Sequence, residues 1–163
     1  MDRSVYETLD LRVARHPSET AEYMLVRILA YCLEYQEGIA LTEGVSSGNE
    51  PALVVRDLTG RITGWIEVGM PDAERLHRGS KLAGRVAVYT HRDPRIVLEQ
   101  LAGKKIHGAD AIPLYTFGRG FIEKVAAILP RRASLSVMIT ERQLYLDVDD
   151  QSFSTTVEER MVG

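Results

Sequence analysis

Glu67 and Glu50 are the acidic residues whose surroundings point most clearly to a chemical role. Glu67 lies in the apolar run of residues 65–68, and a carboxylate there is costly to bury unless it meets a cation or a metal ion. The hairpin expected over residues 52–68 places Glu50 near Gly69, at the same end as Glu67. Two carboxylates from adjacent strands can bind a hard divalent cation through their oxygens. Two plainer interpretations stay open: Glu67 lies on a solvated face of the sheet, and Glu50 is an exposed loop acid.

A stripe of basic residues follows in the helix that residues 71–83 are expected to form. At about 100° per residue these side chains fall on one half of the helix, and Glu74 is the only acid among them. The stripe consists of Arg75, His77, Arg78, Lys81 and Arg85. This is the footprint expected of a helix that contacts phosphates, although many charged helix faces are simply solvated.

Other patterns in the sequence do not indicate a catalytic site. Asp-Leu-Thr-Gly at residues 57–60 is a turn signature, because an aspartate side chain can bond the backbone two residues later and glycine accepts the left-handed conformation. Gly-Arg-Gly at 118–120 lacks the rest of a phosphate-binding fingerprint and predicts a turn. The four histidines have no zinc-site spacing, and Cys32 lies within an apolar helix stripe.

The acids at positions 50 and 67 must be positioned by a β-hairpin. Residues 52–55 and 62–68 have the apolar and β-branched character of strands, and the 57–60 turn joins them. A turn centred on residues 59 and 60 places residues 52 and 67 opposite each other, unless a bulge shifts the register. The period of two along a strand puts Trp65 and Glu67 on one face.

The remaining elements alternate along the chain and predict an α/β fold. Strands are expected at residues 6–13, 86–90, 112–115, 135–139 and 144–148. Helices are expected to begin near residues 16–20 and end before Gly38, and to span residues 96–101 and 120–128. Short links between alternating elements favour a mixed central β-sheet flanked by helices. We therefore expect one domain over residues 1–150, followed by a polar, loose tail over residues 151–163.

The composition is that of an ordinary globular protein. The chain has 163 residues, 20 Lys plus Arg against 23 Asp plus Glu, a formal net charge of −3 and 45% hydrophobic residues. It has no apolar run of the ~18 residues that a membrane span needs and no signal-peptide pattern, which predicts a cytoplasmic protein without membrane association. The single cysteine fits a reducing compartment. The mild acidity argues against strong non-specific binding of nucleic acid, although a net charge can hide a local basic face.

Several short motifs together resemble the YaeQ family of bacterial proteins. The most specific are Ala-Arg-His-Pro-Ser-Glu-Thr at residues 14–20, and Trp-Ile-Glu-Val-Gly at 65–69 followed by Pro-Asp at 71–72. The match extends over most of residues 6–149. The resemblance implies a variation on the PD-(D/E)XK nuclease fold, in which helices flank a mixed central sheet. Proteins of this family usually have an additional strand before the position of Met1, so the resemblance implies either a truncated start or a sheet that has lost this edge strand.

The nuclease resemblance implies a metal site, onto which this sequence maps incompletely. In that superfamily a helix Glu, a strand Asp and an acid followed two residues later by Lys hold Mg²⁺ and activate water. The resemblance assigns Glu19 to the helix acid and Glu67 to the strand acid, with Glu50 as a substitute for the missing Asp. The expected Lys falls on Gly69, and the expected Asp falls on Ala52.

These features lead to competing functional hypotheses. The favoured one is a non-catalytic or catalytically degraded relative of the nucleases that binds nucleic acid or a protein partner. Its phosphate contacts would come from Arg75, Arg78, Lys81 and Arg85. The alternative is a divergent phosphodiesterase in which Glu19, Glu50 and Glu67 bind Mg²⁺ or Mn²⁺, and Arg78 or Lys81 replaces the lysine. A fold whose ligand no motif names is the third interpretation, and the sequence implies no particular oligomeric state.

Overall fold

A computed structural model of the chain describes residues 3–14, 20–42, 50–130 and 132–163. Within these ranges the strands are β1 (Arg3–Ala14), β2 (Ile39–Leu41), β3 (Leu53–Arg56), β4 (Ile62–Val68), β5 (Arg85–Thr90), β6 (Pro113–Thr116), β7 (Arg132–Glu141), β8 (Gln143–Val148), β9 (Gln151–Thr156) and β10 (Glu158–Met161). The helices are α1 (Ala21–Leu33), α2 (Ala73–Leu82), α3 (Pro94–Leu101) and α4 (Phe121–Ile128). A short 3₁₀ turn over Ala109–Ala111 precedes β6.

The strands form two sheets. A six-stranded mixed sheet has the order β10-β6-β5-β4-β3-β2, with β4, β5 and β6 parallel and the other pairs antiparallel. A four-stranded antiparallel sheet has the order β1-β7-β8-β9. The predicted mixed central sheet flanked by helices is confirmed, whereas the separate second sheet was not predicted.

Helix α1 is buried on more sides than its apolar stripe indicated. Its first turn is capped by Thr20, whose hydroxyl accepts a hydrogen bond from the Tyr23 N–H at 3.0 Å. Helical spacing predicts an apolar stripe of Met24, Leu25, Ile28, Leu29, Cys32 and Leu33. Val26 and Ala30 lie outside this stripe, yet both are fully buried. A helix with an apolar surface this wide belongs in an interior, and α1 packs against both sheets and α4. The expected helix start at residues 16–19 lies outside the described residues.

The β3–β4 hairpin has the predicted register. Leu53 pairs with Ile66, and the same register places residue 52 opposite residue 67. A bulge lies between Val55 and Arg56. The connecting turn is held by Asp57, whose carboxylate accepts hydrogen bonds from the Thr59 and Arg61 N–H groups at 2.9 and 3.1 Å. The turn interpretation of residues 57–60 is therefore confirmed, and it sets which residues of the two strands face each other.

Two hydrophobic cores lie on opposite faces of the six-stranded sheet. The larger core joins α1 and α4 to the four-stranded sheet, through residues such as Leu25, Ile66 and Val137. The smaller core packs α2 and α3 on the other face, around Trp65 and Leu76. Strand β4 thus contributes Ile66 to one core and Trp65 to the other, as the period of two requires. Among the residues described, no helix combines the length and apolarity needed to cross a bilayer.

The end of the chain is ordered into strands, and the prediction of a loose tail from residue 151 is wrong. Strand β9 pairs with β8, and β10 pairs with β6 at the edge of the other sheet. Between them Val157 is buried, and the Thr155 hydroxyl accepts a hydrogen bond from the Gly118 N–H at 2.7 Å. Both strands are short edge strands with mostly exposed polar residues, so they lack the apolar alternation that reveals a buried strand.

Candidate functional site

Glu67 is buried on the face of β4 that packs against α2. Its side chain accepts a hydrogen bond from the Trp65 indole N–H at 2.8 Å, as expected for two residues on one strand face. Arg75, in the first turn of α2, donates from Nε to the same carboxylate oxygen at 3.1 Å. The second oxygen lies 3.4 Å from another Arg75 nitrogen. The cation that a buried Glu67 requires is therefore a guanidinium.

The loop that carries Glu50 contacts the Glu67–Arg75 pair through its backbone. Arg75 donates a hydrogen bond to the Glu50 carbonyl oxygen, so the guanidinium bridges the hairpin entry and the end of β4. Helix α2 is oriented for this contact by Asp72, whose side chain caps it by accepting from the Arg75 N–H at 2.8 Å. The sequence predicted that Glu50 and Glu67 lie at the same end of the hairpin. The structure agrees, and it places Arg75 in contact with both residues.

Burial dominates the electrostatics of Glu67. Burial raises the pKa of its carboxyl above the ordinary value. The hydrogen bonds and positive charge of Arg75 lower this pKa, as does the hydrogen bond from Trp65, but together they offset only part of the effect of burial. Asp72 adds a smaller upward contribution to this pKa. A carboxylate in this setting interacts strongly with any nearby cation because the surroundings have a low dielectric constant.

The described residues around Glu67 do not fit a divalent-cation site. Mg²⁺ and Mn²⁺ need several oxygen ligands, whereas both Glu67 oxygens already face Arg75, and Glu50 is held there by its carbonyl. Ala52 and Gly69 add no ligand at the positions where the resemblance expects Asp and Lys. Across the part of the chain that the structure describes, no three His, Cys, Asp or Glu side chains group as metal ligands. Glu19 lies outside the described residues.

Arg85 forms a second buried ion pair and does not belong to α2. The helix ends at Leu82, and Arg85 begins β5, so its expected place on the helix stripe is wrong. Its guanidinium binds both carboxylate oxygens of Glu34 at 2.7 Å, at the end of α1. The extended backbone of Ala83 ends the helix where the sequence predicted, so Arg85, two residues later, has no place on the helix face.

Glu34 is the buried acid that sequence analysis missed. It is 2% exposed, and besides Arg85 it accepts a hydrogen bond from the Tyr89 hydroxyl. Burial by itself would raise the pKa of Glu34, but the Arg85 pairing and the Tyr89 hydrogen bond outweigh it and lower the pKa. Tyr115 stacks on Tyr89 at 4.8 Å between ring centroids and accepts from Arg85 at 3.3 Å. The partners of Glu34 lie on a strand more than 50 residues later in the chain, so no local sequence pattern indicates them.

His77 and Lys81 remain on α2, and residues of the loop after α3 lie beside them. The His77 ring nitrogen Nδ1 accepts a hydrogen bond from the His107 N–H at 3.0 Å, which ties the loop after α3 to α2. The pKa of His77 is lowered first by burial and then by the positive charges of Lys81, Lys105 and His107. Lys81, Lys105 and His107 are exposed. We call His77, Lys81, Lys105 and His107, together with the half-buried Arg78 that follows His77 in α2, the basic surface.

The fold and these sites define an α/β protein with a mixed sheet, two internal Glu–Arg pairs and a local cationic surface. The family model described as YaeQ protein matches residues 1–157. The chain therefore belongs to the YaeQ family, as its motifs indicated.

Relatives and solved structures agree with this assignment. YaeQ of Escherichia coli (strain K12) is 29% identical over 96% of this chain and 87% of that protein, and YaeQ of Salmonella typhi is 30% identical over 90% and 81%. The crystal structure of YaeQ from Pseudomonas syringae has 32% identity and a TM-score of 0.79, covering 98% of this chain and 89% of that one. The structure of YaeQ from Xanthomonas axonopodis pv. citri, at 24% identity and a TM-score of 0.75 over 91% and 85%, shares the fold.

Proposed function

We propose that the protein binds nucleic acid through phosphate contacts at the basic surface, as a catalytically degraded relative of the PD-(D/E)XK nucleases. The observation that carries this proposal is the clustering of Lys81, Lys105 and His107 around His77, across two separate elements. A net charge of −3 gives no general affinity for polyanions, so binding depends on this local surface.

The geometry of the cluster supports phosphate contact. His77 and Lys81 are four residues apart and share a helix face, and the hydrogen bond from His107 to His77 holds the loop carrying Lys104 and Lys105 beside them. Cations fixed on two elements can track neighbouring phosphates without a large ordering cost. Arg75 and Arg85 are each committed to a buried carboxylate, which leaves Arg78 and Lys81 from the predicted set as the phosphate contacts proposed here.

The exposed lysines of the basic surface indicate nucleic acid, and not a protein, as the partner. Lysine is depleted in the cores of protein–protein interfaces, because its ammonium is strongly hydrated and its side chain is flexible. The same ammonium contacts phosphates readily and releases their condensed counterions. Lys81, at the end of α2, and Lys105, in the loop after α3, are both exposed and both act on His77.

Binding without cleavage is supported by the environment of Glu67. Phosphodiester hydrolysis by these nucleases needs a metal ion to activate water and a lysine to position it. Arg75 occupies the surroundings of Glu67, and glycine stands where the resemblance places the lysine. A bound cation would have to displace a guanidinium from a buried ion pair, which costs several kcal/mol in typical proteins, about 3–5 when one partner is lost.

The test is binding of a fluorescent DNA duplex and of its single strand, followed by anisotropy. We expect Lys81→Gln plus Lys105→Gln to weaken binding by about tenfold or more, since two phosphate contacts are lost. The matched control is Lys124→Gln plus Arg132→Gln, which removes the same charge from exposed positions on α4 and β7. Equal affinity in the two double variants, or no binding, would exclude the nucleic-acid proposal and leave a protein partner.

A further inference from the structure

A cleft of about 670 Å³ opens where β5 and β6 end. Its walls come from the loop and helix start that follow β5, the loop and helix start that follow β6, and the last strand of the chain. The volume is in the range of sites that hold small organic molecules, roughly 300–1,000 Å³.

The position of the cleft is the one that parallel strands favour for ligands. Strands β5 and β6 are parallel, and their carboxyl ends are followed directly by the loops into α3 and α4. In open α/β sheets, ligands bind in the crevice beyond these carboxyl ends. The end of α2 and the loop after α3 lead into the amino ends of β5 and β6, so the basic surface and the cleft lie at opposite ends of these parallel strands.

Arginines dominate the polar lining of the cleft. Arg95 pairs with Asp93 at 2.9 Å, and Arg160 pairs with Glu158 at 3.5 Å. Arg92 and Arg119 are exposed and also line the cleft. In the described ranges of the chain, neither of these two makes an ion pair. Glu123 is the remaining acid of the lining.

The other walls of the cleft suit the non-ionic part of a ligand. Phe117, Pro94 and Ile122 contribute apolar surface. Gly120 is the N-cap of α4 and has no side chain to accept from the helix amides, so the start of the helix adds partial positive charge beside Arg119. The cleft therefore offers both cationic groups for an anion and apolar surface for an uncharged body.

We infer that this cleft binds a phosphate monoester with an apolar or planar body, the phosphoryl group lying between Arg92 and Arg119. Planar guanidinium groups match phosphate oxygens with paired hydrogen bonds, which makes arginine better suited than lysine to this role. Such a group can come from a free nucleotide or from the 5′-phosphate end of a nucleic-acid strand. Both sources present the same phosphoryl chemistry to the cleft.

The test is calorimetric titration of the full chain with adenosine 5′-monophosphate, inorganic phosphate and adenosine. We expect the nucleotide to bind with about millimolar affinity or better, phosphate more weakly, and adenosine not measurably. Arg92→Gln and Arg119→Gln should each weaken nucleotide binding by about tenfold, the loss typical of a charge-assisted hydrogen bond. Arg61→Gln, an exposed arginine on the β3–β4 turn, is the matched control and should leave binding unchanged.

Short oligonucleotides with and without a 5′-phosphate distinguish the two sources. If the 5′-phosphate makes an oligonucleotide bind more tightly, and Arg119→Gln abolishes this increase in affinity, the cleft binds the ends of nucleic-acid strands. If the nucleotide binds as expected but the 5′-phosphate does not increase the affinity of the oligonucleotide, the cleft binds free phosphate esters. Nucleotide binding that is absent, or equal in wild type, Arg92→Gln and Arg119→Gln, overturns the inference. Binding of unphosphorylated DNA at the basic surface is unaffected by these variants and reports on the proposed function separately.

Discussion

The Arg75 guanidinium lies 3.1 Å from the Glu67 carboxylate and also donates to the Glu50 carbonyl. It supplies, from the protein itself, the positive charge that the nuclease resemblance assigns to a metal ion at this carboxylate. A second Glu–Arg pair, Glu34 with Arg85, is buried on the other face of the same sheet. The two pairs have opposite electrostatic balance, since the pKa of Glu67 is raised and that of Glu34 is lowered.

The two buried glutamates should make opposite contributions to stability as the pH changes. A carboxyl whose pKa is lowered by folding stabilises above its ordinary value of about 4.3, and this contribution is lost as the pH falls through the lowered pKa. A carboxyl whose pKa is raised does the reverse, because the folded state then binds the proton more readily than the unfolded chain. Stability at Glu67 therefore decreases as the pH rises through its raised pKa.

Urea unfolding of Glu34→Gln and Glu67→Gln against wild type, between about pH 3 and 7, measures this difference. The stability advantage of wild type over Glu34→Gln should shrink on acidification, while that over Glu67→Gln should grow. Parallel pH profiles for the two variants would contradict the assignment of opposite pKa shifts.

Loss of the Tyr89 hydroxyl should destabilise the protein measurably. Tyr89 donates to the buried Glu34 carboxylate, and hydrogen bonds to charged groups contribute about 1.5–3 kcal/mol. We expect Tyr89→Phe to lower the free energy of unfolding by that amount, as measured by urea denaturation. Tyr145→Phe, at a half-exposed position on β8, is the control and should change stability by less than about 0.5 kcal/mol. Equal effects of the two changes would remove Tyr89 from the network.

Gly79 is required because α2 packs closely on Trp65. A Cβ at position 79 would lie 2.6 Å from the Trp65 ring, well inside contact distance. Gly79→Ala should destabilise the protein by about 1–3 kcal/mol despite the better helix propensity of alanine. A Cβ at Gly84 would meet nothing within 4 Å, so Gly84→Ala is the matched control. Thermal unfolding compares them, and a Gly79→Ala variant as stable as Gly84→Ala would contradict the packing described here.

The strand β9 is anchored to the β6–α4 loop by Thr155. Thr155→Val keeps the side-chain shape but leaves the Gly118 N–H without its acceptor, which costs about 1–3 kcal/mol. Thr156→Val removes an exposed contact with Gln143 and should cost less than about 0.5 kcal/mol. Equilibrium unfolding in urea measures both changes. Hydrogen exchange at Gly118 gives an independent check, since only Thr155→Val should accelerate it.

The local parts of the fold were predictable because their causes lie in neighbouring residues. The Asp57 turn sets the hairpin register, and the period of two along β4 places Trp65 beside Glu67. The position of Glu50 near Glu67 follows from the same register. The expectation that a buried Glu67 needs a cation was also sound, since Arg75 provides one.

The parts that sequence reasoning missed depend on distant partners. Glu34 looks like an ordinary polar residue at a helix end until Arg85 and Tyr89 fold against it. Arg85 continues the helical spacing of α2 although the backbone has already left the helix. Strands β9 and β10 have polar exposed faces, so only pairing with β8 and β6 reveals them.

The salt dependence of DNA binding tests the central claim most directly. If the basic surface contacts phosphates, the logarithm of the affinity of wild type falls linearly with the logarithm of the salt concentration. Removing Lys81 and Lys105 together should then make that slope shallower by about 2, roughly one unit per lost contact, while Lys124→Gln plus Arg132→Gln leaves it unchanged. A slope identical in wild type and the Lys81, Lys105 variant would contradict the account.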